Sequence, residues 1–160
     1  MSFDVFLQRF SAGEPAEINR ERVQAVLQTT KFTGPDRWGF YVVKFPDGVH
    51  VELRATGLDG TAKFTGCTFY IRGMSPYLVG FILDTAKAGD MVILPAVAEE
   101  EFVPILSSPE QGPHLPSALA QAHHKPVVCG SPAELESLLS GGFAGWKKYR
   151  DQVINGNRGL

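Results

Sequence analysis

Side chains suited to binding or acid–base chemistry recur at every second position along several predicted strands. Residues two apart on a strand point to the same face of a sheet. If the strands pair, one face gathers Asp4, Phe6, Gln8, Phe40, Lys44, His50, Glu52, Arg54, Tyr70 and Arg72. Aromatic and arginine side chains dominate the energetics of protein interfaces, so this composition indicates a binding surface.

The candidate binding residues on this face combine aromatic rings, arginines, a histidine and a carboxylate. They are Phe6, Phe40, His50, Glu52, Arg54, Tyr70 and Arg72. His50 near Glu52 also suits proton transfer, but no nucleophile accompanies the pair, so we assign no catalytic residue. Two structural alternatives stay open: Lys44, Glu52 and Arg54 form ordinary cross-strand ion pairs, or residues 98–160 cover the face.

Other clusters fit structural roles better than chemical ones. His123-His124 with Cys129 suggests zinc ligands, but adjacent side chains point apart and no second cluster completes a site. Glu99-Glu100-Glu101 beside Asp90 is more typical of a solvated turn than of a cation site. We therefore expect no metal and no cofactor.

The motifs of common enzyme and nucleotide sites are absent from the sequence. It contains no Gly-x-Ser-x-Gly, His-Glu-x-x-His, Cys-x-x-Cys or Walker-type Gly-Lys-Ser/Thr. Gly57, Gly60 and Gly66 lack the spacing of a phosphate loop and are typical of an ordinary loop. The basic and aromatic run from Trp146 to Arg150 could touch nucleic acid, but Phe143, Trp146 and Val153 suit the buried stripe of a docking helix. The sequence thus contains no strong nucleic-acid signal.

A β-hairpin between Phe40 and Arg54 is the best-defined element that positions the candidate face. Pro46-Asp47-Gly48 suits a three-residue turn, with glycine at positive φ. That turn pairs Phe45 with Val49, Val43 with Val51 and Tyr41 with Leu53 on an unbroken apolar face. A two-residue turn would mix polar and apolar partners, so the longer turn is favoured.

The remaining patterns predict an α+β protein. Residues up to 97 contain predicted strands at 3–10, 38–45, 49–55, 67–72 and 91–97 and helices at 20–30 and 76–88. This order is ferredoxin-like with one extra strand, which predicts a mainly antiparallel sheet with helices packed on one face. Residues 98–160 are predicted to form a C-terminal α/β extension. Its predicted strands are short and cover 102–106 and 126–129. Its predicted helices are a short one at 117–122, one that begins at Pro132 and ends at Gly141-Gly142, and a last one at 143–154.

Length and composition indicate one globular domain. The 160 residues are 44% hydrophobic and 20% charged, with net charge −2, so no global charge draws the chain to nucleic acid or anionic membrane. We expect a single domain over residues 1–160, with a core at about 1–97. No basic leader or membrane-length apolar run is present, which predicts a cytoplasmic location. Cys67 and Cys129 are expected to be buried free thiols rather than a disulfide.

The opening Met1 to Phe10, followed by Gly13-Glu14-Pro15, resembles the start of small uncharacterised bacterial α+β proteins. Their Phe-Pro-Asp-Gly hairpin and a valine-rich strand before Ser-x-x-Glu-Leu are similar to this chain's hairpin and its 126–135 segment. The resemblance implies no catalytic residue. Small acidic α+β proteins of this kind include the immunity proteins of bacterial toxin systems.

Our sequence-based hypothesis is therefore a protein-interaction module, of immunity or accessory type, that binds another protein through a sheet face. The alternative is a small-molecule-binding protein or enzyme with a pocket between the sheet and the C-terminal segment. A deep pocket with converging polar groups would favour the alternative, and a flat polar and aromatic patch would favour the module. The sequence does not define an oligomeric state.

Overall fold

The computed structural model describes the backbone of residues 1–158 and the side chains of residues 1–155. Within that range the strands are β1 (Phe3–Gln8), β2 (Phe10–Ser11), β3 (Glu14–Pro15), β4 (Lys31–Thr33), β5 (Phe40–Lys44), β6 (His50–Arg54), β7 (Gly66–Ile71), β8 (Val92–Pro95), β9 (Ile105–Leu106) and β10 (Val127–Val128). The α-helices are α1 (Arg20–Leu27), α2 (Pro76–Gly89), α3 (Ser117–Ala120) and α4 (Pro132–Arg158). Short 3-10 turns cover Glu99–Glu101 and Pro109–His114.

Eight of these strands form one sheet, in the order β10-β9-β8-β1-β7-β6-β5-β4. Every neighbouring pair is antiparallel except β9 and β10, which run parallel. β2 and β3 pair separately as a small ribbon. The predicted α+β class with a mainly antiparallel sheet is confirmed.

The predicted hairpin register is confirmed. Tyr41 lies opposite Leu53 and Val43 opposite Val51, and the Phe45 N–H donates to the Val49 carbonyl at 2.9 Å. All of these side chains except the partly buried Val49 are buried, so a shift of one residue would move the apolar set to the other face.

One face of the sheet packs against α1, α2 and α4. Side chains cap the N-termini of two of these helices: Asn19 accepts the Arg22 N–H at the start of α1, and Ser75 accepts the Tyr77 N–H at the start of α2. The α2 helix buries eight of its fourteen residues. Leu135 and Leu139 of α4 belong to the same buried cluster as the inward side chains of the strands, so the C-terminal segment shares the main core.

The structure differs from the sequence-based expectation at α4. Gly141-Gly142 was predicted to end one helix before another began, but α4 runs unbroken from Pro132 to Arg158. A Cβ on Gly142 would lie 2.8 Å from Val97 Cγ1 and 3.0 Å from the Phe3 ring. Gly142 therefore allows α4 to approach the sheet closely, which outweighs the intrinsic weakness of glycine within a helix.

Further differences concern short elements. β4 and β3 were not predicted, and the strand predicted at 3–10 is divided into β1 and the start of β2. The predicted strand at 102–106 is confined to β9, while the strand predicted at 126–129 is present as β10. Strands of two or three residues contain too few side chains to show an alternation, so their pairing depends on the rest of the sheet.

Among the described residues, the second face of the sheet is covered by a second apolar cluster at its β8–β9 end. Val92 and Leu106 pack there against Leu115, with Phe10, Leu94 and Leu119 around them. One sequence-based alternative was that residues 98–160 cover this face. In the described structure the segment around Leu115 does so, whereas α4 packs on the opposite face.

Candidate functional site

The candidate binding residues lie on the sheet face opposite the long helices, where β1, β7, β6 and β5 lie side by side. We call this surface the open face, and it comprises Phe6, Phe40, His50, Glu52, Arg54, Tyr70 and Arg72. Strand alternation positions them, because their neighbours Val5, Val51, Leu53, Phe69 and Ile71 are fully or almost fully buried in the core. The seven side chains thus share one face, as the sequence predicted.

Two aromatic rings and an arginine form the centre of the open face. The Phe40 and Tyr70 ring centroids are 5.7 Å apart, although β6 lies between their strands. The Arg54 guanidinium carbon lies 5.5 Å from the Phe40 centroid. Arg54 Nε also donates to the Trp38 carbonyl at 3.4 Å. This packing holds rings and a cation in fixed positions at the surface.

Glu52 and Arg72 form a cross-strand ion pair. Arg72 Nη1 donates to Glu52 Oε1 at 2.8 Å, and both side chains are substantially exposed. Among the described residues, Glu52 thus pairs with Arg72, which directly follows β7, rather than with Lys44 or Arg54 as one structural alternative had it. Exposed pairs of this kind contribute little to stability, typically below about 1 kcal/mol.

Phe6 is the most unusual member of the open face. It lies on β1, a central strand of the sheet, yet its side chain is 42% exposed. A central strand is where a sheet most readily buries apolar side chains, so an exposed phenylalanine there leaves apolar surface in contact with water.

His50 lies apart from the aromatic centre. It is exposed and lies opposite Lys44, which in turn lies opposite Lys31. The Glu52 carboxylate instead accepts a hydrogen bond from Arg72. The described hydrogen bonds thus include none between His50 and Glu52, and the geometry of an acid–base pair is not formed.

Two shallow depressions flank the aromatic centre. One, of about 470 Å³, is bordered by Trp38, Phe40 and Glu52. The other, of about 350 Å³, is bordered by Phe6, Arg54 and Lys63. The open face is therefore a broad, gently uneven surface, as expected of a site for another macromolecule.

Trp38 was missed as a binding candidate. It is 56% exposed and the Arg37 guanidinium carbon lies 4.0 Å from its ring centroid. The signal was present in the sequence, because Trp38 has the same alternation as Phe40, Val42 and Lys44. It lies just before β5 and extends the aromatic surface beyond the strand.

The two cysteines are free and buried, as predicted. Burial raises the pKa of the Cys67 thiol to about 12, so the reactive thiolate is strongly disfavoured. Burial also raises the pKa of Cys129, whose Sγ donates to the Ser131 carbonyl. Neither thiol is part of the open face.

The other clusters weighed in the sequence adopt structural arrangements. His124 Nε2 contacts the Glu100 carbonyl at 2.6 Å, and Asp90 pairs with Arg9 at 3.6 Å. Trp146 stacks on Phe143 with centroids 5.4 Å apart. Among the described residues, no three His, Cys, Asp or Glu side chains converge as metal ligands. No helix in the described part of the chain is long and apolar enough to cross a membrane.

Comparison with protein-family models, curated proteins and solved structures finds no match for this chain.

Proposed function

We propose that this protein is an interaction module that binds another protein through its open face. The observation that carries the proposal is the exposed aromatic and arginine centre, with Phe6, Phe40, Tyr70 and Arg54, on a sheet face that the long helices leave bare. Aromatic and arginine side chains held in place at a surface are the usual anchors of protein interfaces. An immunity or accessory role fits such a module.

The alternative pocket between the sheet and the C-terminal segment has less support. A cavity of about 280 Å³ lies there among Phe3, Val97, Leu138 and their neighbours. Its lining includes one carboxylate, Glu101, and no set of converging polar side chains. This volume falls slightly below the usual range for small-molecule sites, which starts at about 300 Å³.

The test compares two double variants of the tagged protein expressed in its native host. In Tyr70→Ala/Arg72→Ala, we expect binding of a stoichiometric partner to weaken by roughly thirtyfold or more, as for a central anchor. The thermal midpoint should change little, because Tyr70 is partly exposed and the Arg72 ion pair is exposed. Binding is quantified on the purified complex once mass spectrometry has identified the partner.

The matched control removes the same residue types from the helix side. Tyr77 is 53% exposed on α2 and Arg22 is exposed on α1. Tyr77→Ala/Arg22→Ala should keep full partner binding. Equal binding by both double variants would refute the open face as the interface, and a collapse of the midpoint in the first would assign Tyr70 and Arg72 a structural role instead.

A further inference from the structure

A row of basic side chains crosses four strands at one end of the open face. The pairing places Lys31 of β4 opposite Lys44 of β5, and Lys44 opposite His50 of β6. Continuing the β6–β7 register by two residues places Arg72, just after β7, opposite His50. Val43, the neighbour of Lys44 along β5, is buried in the core, so alternation puts the row on the same side of the sheet as the open face. We call these four basic residues the cationic row.

The two lysines of this row have no carboxylate partner among the residues whose side chains are described. All four side chains of the row are exposed. No carboxylate in residues 1–155 forms a salt bridge with Lys31 or Lys44. Glu52, which lies two residues from His50 on β6, is already paired with Arg72. Because like charges placed opposite each other destabilise a sheet, the two lysines lower the stability of the isolated protein.

Protection of the sheet edge accounts for only one of these lysines. β4 is an edge strand, and a lysine there discourages pairing with another chain. Lys44 lies on β5, which is paired with β4 on one side and β6 on the other, so it cannot serve that purpose. The positive charge also contrasts with the whole chain, whose net charge is −2. The row is therefore a local concentration of positive charge that edge protection does not explain.

We propose that the partner of the open face is a protein whose contacting surface carries carboxylates opposite the cationic row. This proposal rests on the function proposed above and specifies the chemistry of the partner. Phe40 and Lys44 lie on the same strand, about 13 Å apart along it. A standard interface covers about 800 Å² on each partner, so one protein spans both the aromatic centre and the row. The aromatic centre supplies the buried contact, and the row supplies long-range attraction and orientation.

The carboxylates on this side of the sheet favour a protein over a nucleic acid. Glu52 and Asp4 lie on either side of Tyr70, between the cationic row and the Phe40 ring. A nucleic acid carries a negative charge at every phosphate, so a strand that ran from the row to the aromatic rings would meet these carboxylates. A protein surface can instead present carboxylates to the row and neutral or apolar groups to the centre.

The charge preference is measured with three soluble probes. Two are the peptide Glu-Glu-Glu-Glu-Gly-Ser-Phe-Phe and its counterpart with glutamine in place of every glutamate. The third is an oligothymidylate of similar length. We expect the acidic peptide to bind at least about tenfold more tightly than the glutamine peptide, with NMR shift changes at Lys44, His50 and Tyr70. Equal affinities of the two peptides, or tighter binding of the oligothymidylate, would overturn the proposal.

The location is tested by removing the two lysines. Lys31→Gln/Lys44→Gln should weaken the acidic peptide about tenfold and the glutamine peptide less than about twofold. Its thermal midpoint should not fall, because the substitution removes a repulsive pair. Lys147→Gln/Lys148→Gln is the matched control, since it changes the net charge equally at exposed positions of α4, which packs on the opposite face. The control should bind both peptides normally. An equal loss in the two variants would mean that the peptide responds to net charge alone, which would refute the row as its site.

The native partner, once mass spectrometry has identified it, separates this proposal from the function on which it rests. At low salt, Lys31→Gln/Lys44→Gln should slow association about tenfold and change dissociation little, and added salt should remove the difference. If Tyr70→Ala/Arg72→Ala loses binding while the lysine variant associates at the normal rate, the open face is the interface but its partner is not acidic. If both variants bind normally, the open face itself is refuted.

Discussion

At the scale of single residues, the turn at Asp47 and Gly48 connects the hairpin to α2. Asp47 Oδ1 accepts the Val49 N–H at 3.2 Å, and Asp47 Oδ2 accepts the Ser75 hydroxyl at 2.5 Å. Ser75 is also the N-cap of α2, so one carboxylate joins the turn to the start of that helix. Gly48 completes the turn with φ +87° and has no atom within 4 Å of its Cβ position.

We expect Gly48→Val to lower the free energy of unfolding by about 1–3 kcal/mol. The space around the residue is open, so the cost comes from forcing a β-branched residue to positive φ. Urea denaturation measures it. Gly48→Asn is the control, since asparagine tolerates the left-handed region, and it should lose clearly less stability. Equal losses in the two variants would contradict a conformational origin.

The sequence predicted which side of the sheet each candidate residue occupies, but not its contacts. Alternation places Glu52 and Arg72 on one face without specifying that they pair with each other. Alternation likewise does not show that Phe40 and Tyr70 meet across β6. Such contacts depend on strand order and on side-chain rotamers, and a single strand's pattern contains neither.

At the scale of elements, a glycine near a helix can either end the helix or allow a neighbouring element to approach closely, and sequence alone does not distinguish the two. Gly89 ends the regular part of α2, but the left-handed residue after the helix is Asp90, with φ 53°. Gly89 instead permits close packing, since its Cβ would also lie 3.1 Å from Ile18. Gly142 does the same within α4. A glycine therefore predicts either a helix end or a close approach, and only the neighbouring elements decide which.

The orientation of α2 is tested by two substitutions three residues apart. Phe81 is buried and packs edge-on against Phe45 and Phe69, each with centroids 5.8 Å from its own. Phe81→Ala should cost about 3–5 kcal/mol, through lost burial and the cavity left behind. Asp84 is exposed and forms no salt bridge among the described residues, so Asp84→Ala should change stability by less than about 0.5 kcal/mol.

Denaturant titrations of both variants give the two free energies. A similar loss from Phe81→Ala and Asp84→Ala would contradict the orientation of the helix. A large loss from Asp84→Ala alone would mean that the helix buries the opposite side.

At the scale of the whole molecule, the order of strands shows what sequence patterns omit. β1 is first in the chain but lies between β7 and β8, and β10 lies at the far edge from β4. The strands, helices and α+β class follow from local periodicity and caps, whereas this order depends on pairings between distant segments. The position of α4 on the helix side, which leaves the open face bare, is one such long-range result.

The same core arrangement predicts that residues 1–97 and the C-terminal segment unfold together. Leu135 and Leu139 of α4 share one buried cluster with Phe3 and other side chains of the sheet, so removing the segment would expose that core. Small domains with one core usually unfold in a single cooperative transition. The two tryptophans report on the two parts: Trp38 lies beside β5, and Trp146 lies on α4.

We therefore expect coincident unfolding transitions in two single-tryptophan variants. Trp146→Phe keeps the reporter beside the sheet, and Trp38→Phe keeps the reporter on α4. Within each variant, the urea midpoint from tryptophan fluorescence should equal the midpoint from far-ultraviolet circular dichroism, because both report one transition. Comparing the signals within one variant removes the effect of the substitution on stability. An α4 reporter that unfolds at lower urea than the bulk signal would show that the C-terminal segment is a separate, weaker unit.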